Sequence, residues 1–429
     1  MANVLVTNVR ILDGTGEYPY TGEVLIQGNR IRRVARGLRS LPTVGATVID
    51  GAGATLMPGM TEAHTHFSWN DQPDLESIQR MPPEEHTLWA AKVAKTYIDA
   101  GFTSCVGAAA AKPRLDVVVR NAINSGLIPG PRYLANGQEI ATTGGLGDTS
   151  PPHIPAPELS FGWVVTGPED MRRAVRMFIK YGVDLLKLNI SGEEIAGVAA
   201  EETPMCDDEV AMAVSEAHRR GRRVCAHARS AESVKMCVRH GVDIIYHASY
   251  ADEEALDMLE AAKDRHFVAP ALAWLFRTGR DAGPWGIRPD SPIAIKYQRE
   301  AEIACETMRK MLKRGIRVLP GGDYGFAWIP HGTNAKDLEY FVDHCGFSTM
   351  EAIVSTTKWG GEIMGRPGEL GQIKEGYLAD LILVDGDPVA NIRILQDRTR
   401  LLFVMKDGEF HKAPDMAPQR SRYGMGVVA

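Results

Sequence analysis

The sequence predicts an α/β protein: a (β/α)8 TIM barrel with a small β-sandwich domain built from both chain ends. Three observations predict it. Both ends of the chain alternate apolar and polar residues at the two-residue period of strands. The long middle alternates strand with helix, and several of its strands end in residues that bind metals. Of 429 residues, 44% are hydrophobic and 24% charged, which suffices for one barrel and one smaller domain.

Residues 1–54 carry the runs VLVTNVRIL and GEVLIQGNRIRRVA, separated by glycine-bearing turns, and read as a small antiparallel sheet. Residues 366–412 resume that texture in GQIKEG, ADLILVD and LLFVMKDG. Chain ends often lie close together, so the two stretches are expected to share one domain. Between them, 55–365 is the expected barrel. Its candidate strands are 55–60, 103–107, 132–135, 185–190, 223–228, 244–247, 267–272 and 317–321, with helical spacing in stretches such as 209–220 and 231–240. Residues 413–429, rich in Pro, Arg, Met and Gly, read as a tail.

A formal net charge of −6 gives no basic field for nucleic acid or an anionic membrane. No apolar run approaches the roughly 18 residues of a membrane span. The opening MANVLVTNVRILDG lacks a basic segment followed by an apolar one, so no secretory signal is expected. Six scattered cysteines without a C-x-x-C pair point to a reducing, cytoplasmic setting.

In such barrels the working residues sit at the carboxyl ends of strands. His64 and His66, one residue apart, project to the same face of the first strand. Lys187 lies inside the otherwise apolar fourth strand. His227 ends the fifth, His247 the sixth, and Asp323 follows Gly321–Gly322 at the eighth. Each alone has an ordinary reading as a core histidine, a snorkelling lysine or a turn aspartate. Gathered at one end of one barrel, they make a site for divalent metal.

That order resembles the metal-dependent amidohydrolase superfamily, over nearly the whole chain. MPGM before the histidines and the closing run GELGQIKEGYLADLILVDGDP agree with it. KLNISG from Lys187, GQEI from Gly137 and TTGG from Thr142 are similar to its prolidase and imidazolonepropionase-like branch. That branch includes Xaa-dipeptidases, ochratoxin-type amidases, and phenylurea and molinate hydrolases. The resemblance implies two divalent ions, zinc first, with manganese, cobalt or iron also suited. His64, His66 and Asp323 would hold one ion, and His227 and His247 the other. Lys187 would bridge them as a carbamate formed with carbon dioxide, since an ammonium beside dications would be repelled. The implied reaction is hydrolysis of an amide-like C–N bond by metal-activated hydroxide, with Asp323 as the catalytic base. The expected partners are a small-molecule substrate and further copies of the chain in a homo-oligomer.

The substrate is less defined. Related dipeptidases carry G-G-H after strand three, where this chain has Gly144–Gly145–Leu146. An apolar Leu146 cannot hydrogen-bond a peptide carboxylate, which favours an aromatic or apolar amide, urea or carbamate. Arg229, His331, Trp69, Tyr324 and Trp328, with Leu146, are the expected substrate contacts. The alternative within the branch is an Xaa-dipeptidase or carboxypeptidase. A one-metal deaminase fits less well, because His227 is followed by Ala–Arg–Ser rather than H-x-x-E and Lys187 is present. A non-catalytic scaffold would be expected to have lost ligands, and here every position is filled.

Overall fold

The computed structural model describes residues 3–154 and 157–414; most of the stretch read as a tail, from 415 on, lies outside them. The chain divides into two compact units. One comprises the residues up to Thr61, Tyr97–Ser104 and the residues from Ser348, and the other Glu62–Thr96 with Cys105–Phe347. These divisions differ from the 54/55 and 365/366 boundaries read from the sequence pattern.

The first unit joins the chain ends in one eight-stranded sheet. Asn3–Ile11 pairs antiparallel with Tyr20–Gln27, and parallel with Thr55–Pro58. Thr55–Pro58 in turn pairs antiparallel with Leu381–Val384, so a strand from each end is stitched into the same ladder. Alternate residues such as Val4, Val6, Ile26, Leu381, Leu383 and Phe403 bury one face of that sheet. The expected first barrel strand, 55–60, is therefore two elements. Pro58 has no N–H to continue the ladder, and a Cβ on Gly59 would fall 2.2 Å from Thr103 Oγ1. Thr55–Pro58 stays with the sheet, and Met60–Thr65 begins the barrel.

The barrel strands are Met60–Thr65, Phe102–Gly107, Arg132–Leu134, Leu185–Asn189, Arg223–Ala228, Ile244–His247 and Phe267–Ala269, with a single bridge at Val318 in eighth place. The fourth to seventh are parallel neighbours in order. Asp184 N–H donates to Ala135 O at 2.8 Å between the third and fourth, and Ala63 N–H to Pro320 O at 3.1 Å closes the eighth onto the first. Nearly every residue on these strands is buried, as expected for strands covered on both faces. The eighth stops short because Pro320 cannot donate and a Cβ on Gly321 would press 2.8 Å from His64 Cβ.

Helix boundaries follow local chemistry. Ala231–His240 starts where the Ser230 side chain accepts Ser233 N–H, and stops at left-handed Gly241. Two short strands escaped the sequence pattern: Ile140–Thr142 and Trp163–Val165, paired in parallel beyond the third barrel strand. Three residues each is too short for a periodic signal. Among the described residues, no helix is long and apolar enough to cross a membrane.

Candidate metal centre and its cavity

Strand alternation brings His64 and His66 to the barrel's interior, and both meet Asp323. His66 Nε2 lies 3.0 Å and His64 Nε2 3.5 Å from Asp323 Oδ1. The ring centroids of His64 and His247 are 5.3 Å apart, and those of His227 and His247 4.3 Å. Nitrogen atoms of His64 and His247 and a carboxylate oxygen of Asp323 all fall within 4.8 Å of one another. Lys187 is buried beside them, 5.3 Å over the Tyr246 ring, and makes no ion pair among the described residues.

Backbone geometry aims two of these groups. His247 has φ 72°, and Asp323 has φ 62°. Left-handed backbone is uncommon for residues other than glycine and carries strain that the surrounding structure must hold. The turn before Asp323 is held from both sides: Gly321 N–H donates to Asp337 Oδ2 at 3.0 Å, and Gly322 N–H to Glu62 Oε1 at 2.8 Å. Burial raises the Asp337 carboxyl to about 7 and pushes that of Glu62 well above the usual range.

The imidazoles are positioned by their other nitrogens. His66 Nδ1 pairs with Ala109 O at 3.0 Å, leaving Nε2 for the site. His227 Nε2 pairs with Gly192 O at 2.9 Å, leaving Nδ1. His64 stacks on the buried ring of Tyr246, centroids 3.9 Å apart. Burial pushes His64, His227 and His247 well below the ordinary imidazole value, which keeps them neutral. Burial alone would raise Asp323, but His64 and His66 beside it pull the carboxyl below the usual range. Both ring nitrogens of His247 and the Nδ1 of His64 are buried with no hydrogen bond. Neutral imidazoles, an ionised carboxylate and orphaned donor atoms fit a divalent cation.

Above this floor stands a wall. Trp69, Leu75, Leu146, Ile195, Trp274 and Phe326 line the same cavity, as do the carboxylates Glu139 and Glu193. Trp69 stacks on His66 with centroids 3.5 Å apart, and Phe326 packs between Trp69 and Trp274. The Leu146 carbonyl is fixed by Asn189 Nδ2 at 3.0 Å. Among the expected substrate contacts, Trp69 and Leu146 line the cavity, and Trp328 lines a larger cleft outside it.

The others are placed elsewhere. Arg229 is fully buried and clamped between Glu193 and Glu300, so it does not line the cavity. Tyr324 is buried with its hydroxyl donating to Asn334 O. His331 Nε2 pairs with Trp69 O at 2.8 Å, and burial lowers its imidazole to about 4. A one-dimensional pattern cannot tell a loop side chain that faces the cavity from one that ties the loop down. Glu139 and Glu193 went unassigned by sequence reasoning. Their signal was position: Glu139 lies within the GQEI run, and Glu193 directly follows the strand-four run.

A barrel that gathers four neutral imidazoles, a lysine and a carboxylate at one end has the build of a hydrolase of C–N bonds. The chain belongs to the amidohydrolase family, whose model matches residues 55–410. It is 27% identical to the ochratoxinase of Aspergillus niger, over 85% of this chain and 77% of that protein. Its structure is similar to that of a Xaa-Pro dipeptidase with bound methionine in the active site, with TM-score 0.85 and 28% identity over 96% of this chain and 100% of that one. The structure of A. niger ochratoxinase shares the fold, with TM-score 0.83 and 23% identity over 96% of each chain.

Proposed function

We propose that this enzyme hydrolyses an amide, urea or carbamate bond in an aromatic or apolar small molecule, using divalent metal. The observation that carries the reading is the cavity itself: a polar floor with the donor set of a metal site, beneath a wall of Trp69, Leu146, Trp274 and Phe326. His64, His66 and Asp323 would hold one ion, His227 and His247 a second, and Lys187 would join them as a carbamate. Bound there, zinc or a similar ion supplies Lewis acidity and lowers the pKa of water toward 7.

The chain's own residues do the rest. Asp323, held ionised, takes a proton from the attacking water and delivers it to the leaving nitrogen. The aromatic wall orients a flat group and keeps bulk water from the reacting carbonyl. The Xaa-dipeptidase alternative draws on the similarity to the Xaa-Pro dipeptidase structure. Against it stands Leu146, which offers no hydrogen bond to a substrate carboxylate.

The test is a hydrolysis screen of zinc-, manganese- and cobalt-loaded protein against aryl amides, aryl ureas, carbamates and dipeptides, with sizing to establish the oligomer. Turnover is expected on the aryl compounds. Strong cleavage of Xaa–Pro or Xaa–Arg dipeptides, with the aryl compounds untouched, would sink the proposal. Anomalous scattering and density at Lys187 test the paired ions and the carbamate.

A further inference from the structure

Apart from the residues proposed as ligands, the charged groups lining the cavity are two carboxylates, Glu139 and Glu193, with no arginine among the lining residues. Both are buried, at 4% and 5% exposure. Their situations differ. Glu193 is committed to the protein: Arg229 and the Tyr297 hydroxyl bind its two oxygens from behind. Glu139 has no guanidinium against it, and Gly147 sits so close that a Cβ there would fall 2.7 Å from Glu139 Oε1. Absence of a side chain at Gly147 is what leaves this carboxylate its place in the wall. Buried in the cavity lining, Glu139 is largely stripped of water, so it gains from a cation that reaches it.

The approach to the cavity has the same sign. Leu75 and Ile195 line both the cavity and the cleft outside it. That cleft carries Asp74, Glu76 and Asp148 against one base, Arg80. The indole N–H groups of Trp69 and Trp274, both in the cavity wall, are buried without a hydrogen bond and are free to meet a neutral acceptor of the substrate such as the scissile carbonyl.

We infer that the enzyme selects apolar substrates bearing an ammonium or other cationic nitrogen group near the scissile bond and rejects those with a carboxylate there, with Glu139 as the specificity-determining residue. The inference rests on the hydrolase reading above and narrows its substrate class. An incoming ammonium adds a charge-assisted hydrogen bond to the desolvated Glu139. An incoming carboxylate meets like charge in a site of low dielectric and finds no arginine to pair with.

The test uses zinc-loaded full-length protein and three hydroxamates of equal length whose tails end in an ammonium, a methyl or a carboxylate group. The shared hydroxamate keeps the metal-binding end constant, so calorimetric affinities compare the tails alone. The ammonium tail is expected to bind at least about tenfold tighter than the carboxylate tail, with the methyl tail between. Glu139→Gln should shrink that gap to less than about threefold. Equal or tighter binding of the carboxylate tail overturns the inference, as does a gap that Glu139→Gln leaves intact. Should that variant not fold, the ranking in the unsubstituted protein decides. Turnover of a neutral aryl amide is measured in parallel. Turnover without the ranking defeats this inference alone, and the ranking without turnover defeats the hydrolase reading alone. If no hydroxamate binds, both fall.

Discussion

The floor and the wall of the cavity are built by opposite means. On the floor, side chains from the ends of five strands converge, and three of the imidazoles are fixed by a bond to the backbone or by a stacked ring: His66 on Ala109, His227 on Gly192, His64 on Tyr246. The wall is assembled from loops and helix starts, which carry Leu75, Leu146, Ile195 and Trp274. A strand end fixes direction to within a rotamer, whereas a loop fixes only a neighbourhood. In the proposed function the floor decides what bond breaks, and the wall decides whose.

That division predicts a graded set of losses. Asp323→Asn weakens a proposed ligand to the metal and removes the proposed base, so kcat/KM should fall by about 10³-fold or more. Near-normal turnover with metal still bound would break the division at its strongest point. Arg229→Ala strands Glu193 and Glu300 in the interior without their cation, and unfolding titrations should show a loss of about 3–5 kcal/mol. An unchanged stability would mean that this part of the wall is not held by its ion pairs.

A pH effect comes next. His331 is protonated near 6.5 when unfolded but near 4 in its buried place against Trp69. The unfolded chain then binds more protons between those values, so stability should be full above about pH 6.5 and fall as pH drops toward about 4. His331→Gln should flatten that slope, read as unfolding free energy against pH. The smallest effect is expected at the wall: Leu146→His should raise dipeptide hydrolysis by about tenfold, the worth of one hydrogen bond to a charged group. No gain on dipeptides would remove Leu146 from the residues that choose the substrate.

Much of this architecture is legible along the chain. His64 and His66 declare their shared face by spacing alone, and the strands ending at His227 and His247 have the bounds that pattern gave them. Elsewhere the pattern misleads for physical reasons. Thr55–Met60 reads as one strand because apolarity continues through Pro58, although the ladder cannot. Residues 317–321 read as a strand, yet Pro320 and the crowding of Gly321 against His64 leave one bridge. Arg229 lies two residues after the proposed ligand His227 and reads as a substrate contact, but its partner Glu300 lies 71 residues downstream, on a helix that no local rule connects to it. Glu139 was in view as part of a motif, and only the fold turns it toward the cavity.

The left-handed backbone at His247, Ala248, Ala271 and Asp323 clusters where the sixth, seventh and eighth strands open onto the site. Each such residue costs about 1–3 kcal/mol that a glycine there would largely avoid. Evolution under heat alone would drift these positions toward glycine or asparagine and, at His247 and Asp323, alter a proposed ligand to the metal. The thermal ceiling of the molecule is thus set partly by its chemistry, and the most stable descendant of this chain would be an inert one.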